Sequence, residues 1–232
     1  MATRVPTRHG FAFRFAERRY WDLNFAYVER PEAPTAELLA DADEALTGLG
    51  HRMLVVDEPA DATRLAADLS RDGWTVERHV AMVAGALPAG WEPRHRVREV
   101  PPPDAVVPRR ESIREDGFDE ATLAAIEVAD AAVAHAAAER AFLSHASDGT
   151  VAALAKLYTD GSVGQIEDVH TRAAHRRQGH AETVVLAAVA ASRAAGHAVT
   201  FLWADEDDSP RELYAKLGFR VAGRRWRMRR TV

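Results

Sequence analysis

Residues 175–182, HRRQGHAE, constrain this chain more than any other stretch. An alternating apolar run, Gln165 to Thr171, precedes them, and a helix-forming run, Thr183 to Ala195, follows. A strand, a short basic loop with a glycine and then a helix turn main-chain N–H groups into an anion cradle. The first N–H groups of a helix have no internal acceptor, and the helix dipole adds positive potential at the same place. Arg176, Arg177 and the turn Gly179-His180-Ala181 would set donors and charge around a diphosphate. The string G-x-x-x-x-G-K-[ST] is absent, as is G-x-G-x-x-G, so neither common nucleotide loop accounts for the pattern.

Composition narrows the setting. With 232 residues, 47% hydrophobic and 28% charged, the chain can hold one large domain or two small ones with ample core. It has no cysteine, which excludes a disulfide framework, a thiolate nucleophile and a Cys-based metal site. A net charge of −5 argues against bulk nucleic-acid affinity. No apolar run approaches the length of a membrane span. The start is Arg-rich (Arg4, Arg8, Arg14, Arg18, Arg19), but no apolar stretch follows, so a secretory signal is not expected and a cytoplasmic location is.

Pro88, Pro93, Pro101, Pro102, Pro103 and Pro108 cluster, and proline runs favour extended connectors. A boundary is expected there, giving domains 1–90 and 95–232. In the second, Asp119 caps a helix over Glu120 to Glu139. Strands are expected over Arg140 to Ala146, Thr150 to Tyr158 and Ser162 to Thr171, joined by Asp148-Gly149 and Asp160-Gly161 turns. The basic loop and its helix come next, ended by Gly196. A buried strand over Ala198 to Asp205, a helix over Pro210 to Leu217 and a strand over Arg220 to Arg230 complete the chain.

The penultimate helix carries a second motif, Asp207-Asp208-Ser209-Pro210-Arg211-Glu212-Leu213-Tyr214-Ala215-Lys216-Leu217-Gly218-Phe219. Ser209 suits an N-cap, Pro210 the first helical position and Gly218 the helix end. Tyr214 lies beside the Leu213/Leu217 face and can point into a cleft. Arg176, Gly179 and Ala181 stand as R-x-x-G-x-A, and Tyr214-Ala-Lys-Leu-Gly-Phe follows about 38 residues later. The two motifs, in this order and spacing, resemble the GCN5-related N-acetyltransferase superfamily over residues 95–232.

That resemblance implies an α/β (α+β) fold, with a mixed, mostly antiparallel sheet flanked by helices. It implies acetyl-CoA as co-substrate, no metal, and transfer of the acetyl group to an amine by direct attack in a ternary complex. Val169, His170 and Thr171 would hold pantetheine through main-chain groups. Arg176, Arg177, Gln178, Gly179, His180, Ala181 and Glu182 would hold the pyrophosphate, mostly through N–H donors. Asp207 stands where the family has Asn, and a carboxylate cannot donate there unless protonated. The acceptor would be a small-molecule or peptide amine, with Glu127, Asp130 and Glu139 suited to a cationic one, although a solvated helix face explains these residues equally well. No nucleic-acid or membrane partner is expected, and a homodimer is left open.

The chemistry needs a base for the amine proton and an acid for the departing thiolate. Side chains alternate along a strand, so Gln165, Glu167 and Val169 are expected on one face and Ile166 and Asp168 on the other. Glu167 is the candidate base and Asp168 its competitor, with a structural ion pair the plainer reading of either. Tyr214 is the candidate acid, or else a core tyrosine. His170 and His175 have no third ligand at metal spacing. Arg225, Arg227 and Arg229 alternate with Trp226 and Met228, which reads as a solvated edge strand rather than a nucleic-acid surface.

The first 90 residues repeat part of this plan. Gly50-His51 before an apolar strand matches Gly196-His197, and Gly73-Trp74 matches Gly218-Phe219. A truncated, degenerate copy of the same fold is expected, an unrelated α/β module being the alternative. Val28-Glu29-Arg30-Pro31-Glu32-Ala33-Pro34 replaces the basic loop; its prolines lack donors and its glutamates repel phosphate, so it should not bind the cofactor. A protein that holds acyl-CoA without turnover, or one using a longer acyl group, stays open.

Overall fold

In the computed structural model, which describes residues 2–57 and 60–232, the elements follow in order. They are β1 (Thr3–Thr7), β2 (Gly10–Arg14), β3 (Phe25–Val28), α1 (Thr35–Ala45), β4 (His51–Asp57), α2 (Ala60–Arg71), β5 (Thr75–Ala84), β6 (Arg96–Val100) and α3 (Pro102–Glu115). Then come α4 (Glu120–Ala136), β7 (Arg140–His145), β8 (Val151–Thr159), β9 (Val163–Thr171), α5 (His180–Ala194), β10 (Val199–Asp205), α6 (Pro210–Lys216) and β11 (Phe219–Thr231). Among the described residues, no helix is long and apolar enough to cross a membrane.

Two units form. One comprises Met1–Ala81, Ala204–Asp208 and Ala222–Val232; the other, Met82–Trp203 and Ser209–Val221. These limits differ from a cut at residues 90–95, because the chain end pairs with an early strand. In the first unit, β11 runs antiparallel to β4 from Arg225↔Asp57 to Thr231↔His51. It lies between β4 and β5 in the strand order, so it is an interior strand and not the solvated edge its alternation suggested. Met228 is fully buried with Leu54, Val56 and Trp74. On the other face Arg229 donates to Glu77 at 2.7 Å and Arg227 pairs with Asp22, whereas Arg230, on the face of Met228, lies over Trp74 at 4.8 Å.

The element order β3-α1-β4-α2-β5 matches β9-α5-β10-α6-β11, and each series opens on a parallel pair. Gly73 and Gly218 end their helices at φ of 79° and 89°, and a buried aromatic, Trp74 or Phe219, follows each. The β3–α1 loop is no anion cradle. Its carbonyls at Pro31 and Ala33 both accept from Arg64 Nη2 at 3.0 Å, so the loop presents acceptors where the later one presents donors.

In the second unit the strands run β10-β9-β8-β7-β6, with β9 and β10 parallel and the other pairs antiparallel. The turns form as their chemistry dictates. Asp148 Oδ1 accepts from Thr150 N at 2.9 Å, Asp160 Oδ1 from Ser162 N at 2.8 Å, and the following glycines sit at φ of 87° and 95°. Asp119 caps α4 by accepting from Thr122 N at 2.7 Å. Alternation along β8 assigns the layers. Leu154 packs with Ala105 of α3 and Lys156 reaches Asp130 of α4. Leu157 instead points with Gly164 toward Ser192 of α5, where a Cβ on Gly164 would stand 2.3 Å from the serine hydroxyl.

Met228→Ala should lower the unfolding free energy by about 2–5 kcal/mol, since it leaves a cavity beside Leu54 and Trp74. Denaturant unfolding followed by tryptophan fluorescence measures this. A loss no larger than that of a surface substitution would mean that β11 does not complete this core.

Candidate functional site

Pairing between β9 and β10 runs from Val163↔Val199 to Ile166↔Leu202 and stops. β9 continues through Glu167 to Thr171, still paired on its other side with β8. One edge of this last segment therefore faces away from β8 with no β10 residue in register. An extended ligand can add to such an edge as a further strand.

A bulge sits at the divergence. Lys156 pairs with Glu167 and Leu154 with His170, so Asp168 and Val169 together oppose Ala155. Asp168 takes the strain at φ 54°, a conformation that Asp tolerates better than most residues. The extra residue overturns the expected alternation. Asp168 turns to the α3–α4 face, the face of Lys156 and Glu167, where Oδ1 meets Arg109 Nη2 at 2.6 Å and Oδ2 meets Lys156 Nζ at 3.2 Å. Glu167 is half-buried and accepts from Gln165 Nε2. Both oxygens of Asp168 are thus committed to cations.

At the end of β9, residues Ala173–His175 form a 3-10 turn, and Arg177 and Gly179 both take positive φ, 60° and 95°. Gly179 caps α5, whose first internal bond is Thr183 N to Gly179 O at 3.1 Å. The N–H groups of Gly179, His180, Ala181 and Glu182 precede that bond and have no acceptor within the helix. Arg176, Arg177 and Gln178 are exposed. Arg176 Nε donates to Thr171 O at 3.2 Å and Gln178 Nε2 to Ala174 O at 3.1 Å, so these side chains brace the loop from within it.

Two residues hidden in the proline-rich stretch join the loop. The Arg94 side chain lies where a Cβ on Gly179 would meet it at 3.1 Å. His95 bonds through Nε2 to Gln178 O at 2.8 Å and stacks on His180 with 3.8 Å between ring centres. His180 is buried, its Nδ1 2.8 Å from Ser144 Oγ. Burial first, then the nearby His95, His175 and Arg94, hold its pKa below the usual imidazole range. Its side chain thus props the loop from beneath. The run Pro93-Arg94-His95-Arg96 carried the signal, three basic residues among prolines.

Other sequence candidates sit as follows. His170 turns its ring to the end of α3, 3.5 Å from Glu115 and 3.9 Å from Asp116. Val169 is half-buried, and the Thr171 hydroxyl is buried. Tyr214 on α6 is buried, its ring tilted against Phe219 at 5.9 Å. Ser209 has helical backbone angles and makes no capping bond, so Pro210 alone starts α6 as expected. Asp207 belongs to the first unit, is exposed, and donates its N–H to Asp205 Oδ1 at 2.9 Å. Glu127 is paired with Arg110, and Asp130 with Lys156 at 2.9 Å and Arg109 at 3.3 Å. Among the described residues, no cluster of His, Cys, Asp or Glu forms a metal-holding group.

Lys156 is the missed centre of this network. Burial pulls its pKa down, yet Asp168, Asp130 and Glu139 outweigh that and raise it above the usual lysine value. A lone lysine in the run Ala152 to Leu157 was the visible sign.

Comparison with known proteins bears on the fold. No curated protein sequence matches the chain. The FR47-like protein family matches residues 145–228. A functionally unknown conserved protein of Staphylococcus epidermidis superposes with a TM-score of 0.79 at 9% identity, covering 99% of this chain and 94% of that one. A GCN5-related N-acetyltransferase from Kribbella flavida gives 0.58 at 19% identity, covering 98% and 88%. A tandem GNAT protein from the clavulanic acid biosynthesis pathway gives 0.57 at 17%, covering 88% and 74%. Such low identities speak to the fold. The diverging β9–β10 pair and the glycine-started α5 belong to a fold that this chain shares with solved GCN5-related N-acetyltransferases, and residues 145–228 match the FR47-like protein family.

Proposed function

We propose that the protein is an N-acetyltransferase that moves an acetyl group from acetyl-CoA to an amine. The observation that carries this reading is the conjunction of a β9 edge that runs on past the last β10 residue in register with a helix start whose N–H groups lie just beyond it. A molecule with an extended amide arm and a diphosphate matches both at once. The residues fit the cofactor's chemistry: a side chain on Gly179 would meet Arg94, and Arg94 adds positive charge beside the same turn. Val169, His170 and Thr171 would hold the pantetheine arm by main-chain groups. Arg177 and the N–H groups of Gly179 to Glu182 would hold the diphosphate.

When bound, acetyl-CoA supplies a thioester carbonyl and a thiolate leaving group. Glu167 takes the proton of the incoming ammonium, directly or through one water. Asp168 supports it instead of competing, because its ion pairs to Arg109 and Lys156 hold the bulge that brings Asp168 to the face of Glu167. Tyr214 donates a proton to the departing sulfur.

Thiol release with acetyl-CoA and a panel of amines tests the reading. Binding of CoA without release from any acceptor would favour a non-catalytic acyl-CoA sensor, and preference for a longer thioester would change the donor. Glu167→Gln and Tyr214→Phe are each expected to lower kcat by about 10²–10⁴-fold while leaving CoA affinity intact. Unchanged turnover in either removes that residue from the chemistry. Gly179→Val should abolish the rise in melting temperature that CoA gives the native protein, because a branched side chain is strained at a φ of 95° and its Cβ would crowd Arg94. A full CoA shift in that variant would place the diphosphate elsewhere.

A further inference from the structure

A peptide group that precedes a left-handed glycine can turn over as a unit, because glycine takes φ of either sign at little cost. The Gln178–Gly179 peptide is such a group, with Gly179 at φ 95°. Half a turn of its plane returns φ to a negative value and exchanges the directions of the Gln178 carbonyl and the Gly179 N–H. In a trans peptide these two point opposite ways. One orientation therefore offers a donor to an anion at this turn. The other offers an oxygen that repels it.

The helix does not choose between them. Thr183 N and Thr183 Oγ1 both donate to Gly179 O at 3.1 Å, which fixes the peptide after Gly179 and leaves the one before it. The Gln178 side chain donates to Ala174 O at 3.1 Å, and that bond also leaves the main-chain plane free. The choice falls to His95. Its Nε2 lies 2.8 Å from Gln178 O, and a carbonyl only accepts, so Nε2 carries the proton. The bond draws the carbonyl towards the segment before β6 and sends the Gly179 N–H the other way. The His95 ring is held in turn, stacked on buried His180 with 3.8 Å between ring centres, and His180 Nδ1 is 2.8 Å from Ser144 Oγ on β7.

We propose that His95 is a positioning residue for the diphosphate, holding the Gln178–Gly179 peptide in its donor orientation. It acts through that peptide and not on the cofactor. The inference rests on the transferase reading, which puts the diphosphate at this turn. Without the His95 donor both orientations are open, and part of the binding free energy is lost in turning the peptide.

Calorimetric titration of the full chain with CoA, together with the Gly179 amide signal in nitrogen–proton NMR, tests this. His95→Phe keeps a ring to stack on His180 but removes the donor. It should weaken CoA by about tenfold and reduce the shift that CoA causes in the Gly179 signal. His95→Gln returns an N–H donor at similar reach and should restore most of the affinity. In turnover the loss should fall on KM for acetyl-CoA and not on kcat, since the diphosphate is held alike in ground and transition states. Equal CoA affinity in the native protein and His95→Phe, or a His95→Gln no better than His95→Phe, would overturn the assignment and leave the transferase reading standing. Absence of CoA binding by the native protein would instead remove that reading, and the assignment with it. His95→Ala, also without a donor, decides the matter if His95→Phe does not fold.

Discussion

Asp168 holds a left-handed backbone angle in mid-strand because two cations, Arg109 from α3 and Lys156 from β8, grip its carboxylate. A non-glycine residue in that region costs on the order of 1 kcal/mol. The ion pairs offset it, and they do so under partial burial where charge pairs are poorly screened. The site geometry follows from this one residue. The bulge sets Glu167 and Asp168 on the same face, lets β9 turn from β10 after Ile166, and delivers the chain to the 3-10 turn from which α5 starts.

The charged network also explains why α3 and α4 can cover a sheet face that contains a lysine. Lys156 is 3% exposed, and an unpaired ammonium there would cost several kcal/mol. Carboxylates reach it from α4, from Glu139 just before β7 and from the bulge. Each helix is thereby registered to the sheet by a directional contact as well as by apolar packing. Removing one partner from such a cluster leaves a buried charge uncompensated, so its members are coupled and their effects should not add.

Much of this was legible locally. The Asp-Gly turns and the Asp119 cap form because a short carboxylate reaches nearby N–H groups, an interaction that needs only neighbouring residues. The helix-forming run begins at Thr183, but α5 begins three residues earlier, at His180, since Gly179 in its left-handed state admits the helix at once. The bulge was not legible. Alternation predicts a face only while the ladder is regular, and the groups that bend it come from residues 109 and 156. Arg94 and His95 were masked by the prolines around them, which read as a connector. The last strand misled for another reason. Arginines alternating with Trp226 and Met228 look the same on an edge as inside a sheet, because long stems can carry charge out to carboxylates such as Glu77. Only the pairing with β4, far away in sequence, distinguishes the two.

Amide hydrogen exchange, with and without CoA, tests the central claim most directly. The account predicts new protection confined to the β9 end at Val169–Thr171 and to the α5 start at Gly179–Glu182, with ATP and NAD failing to protect the β9 amides. Protection elsewhere, or CoA binding that leaves both segments exchanging as before, would contradict it.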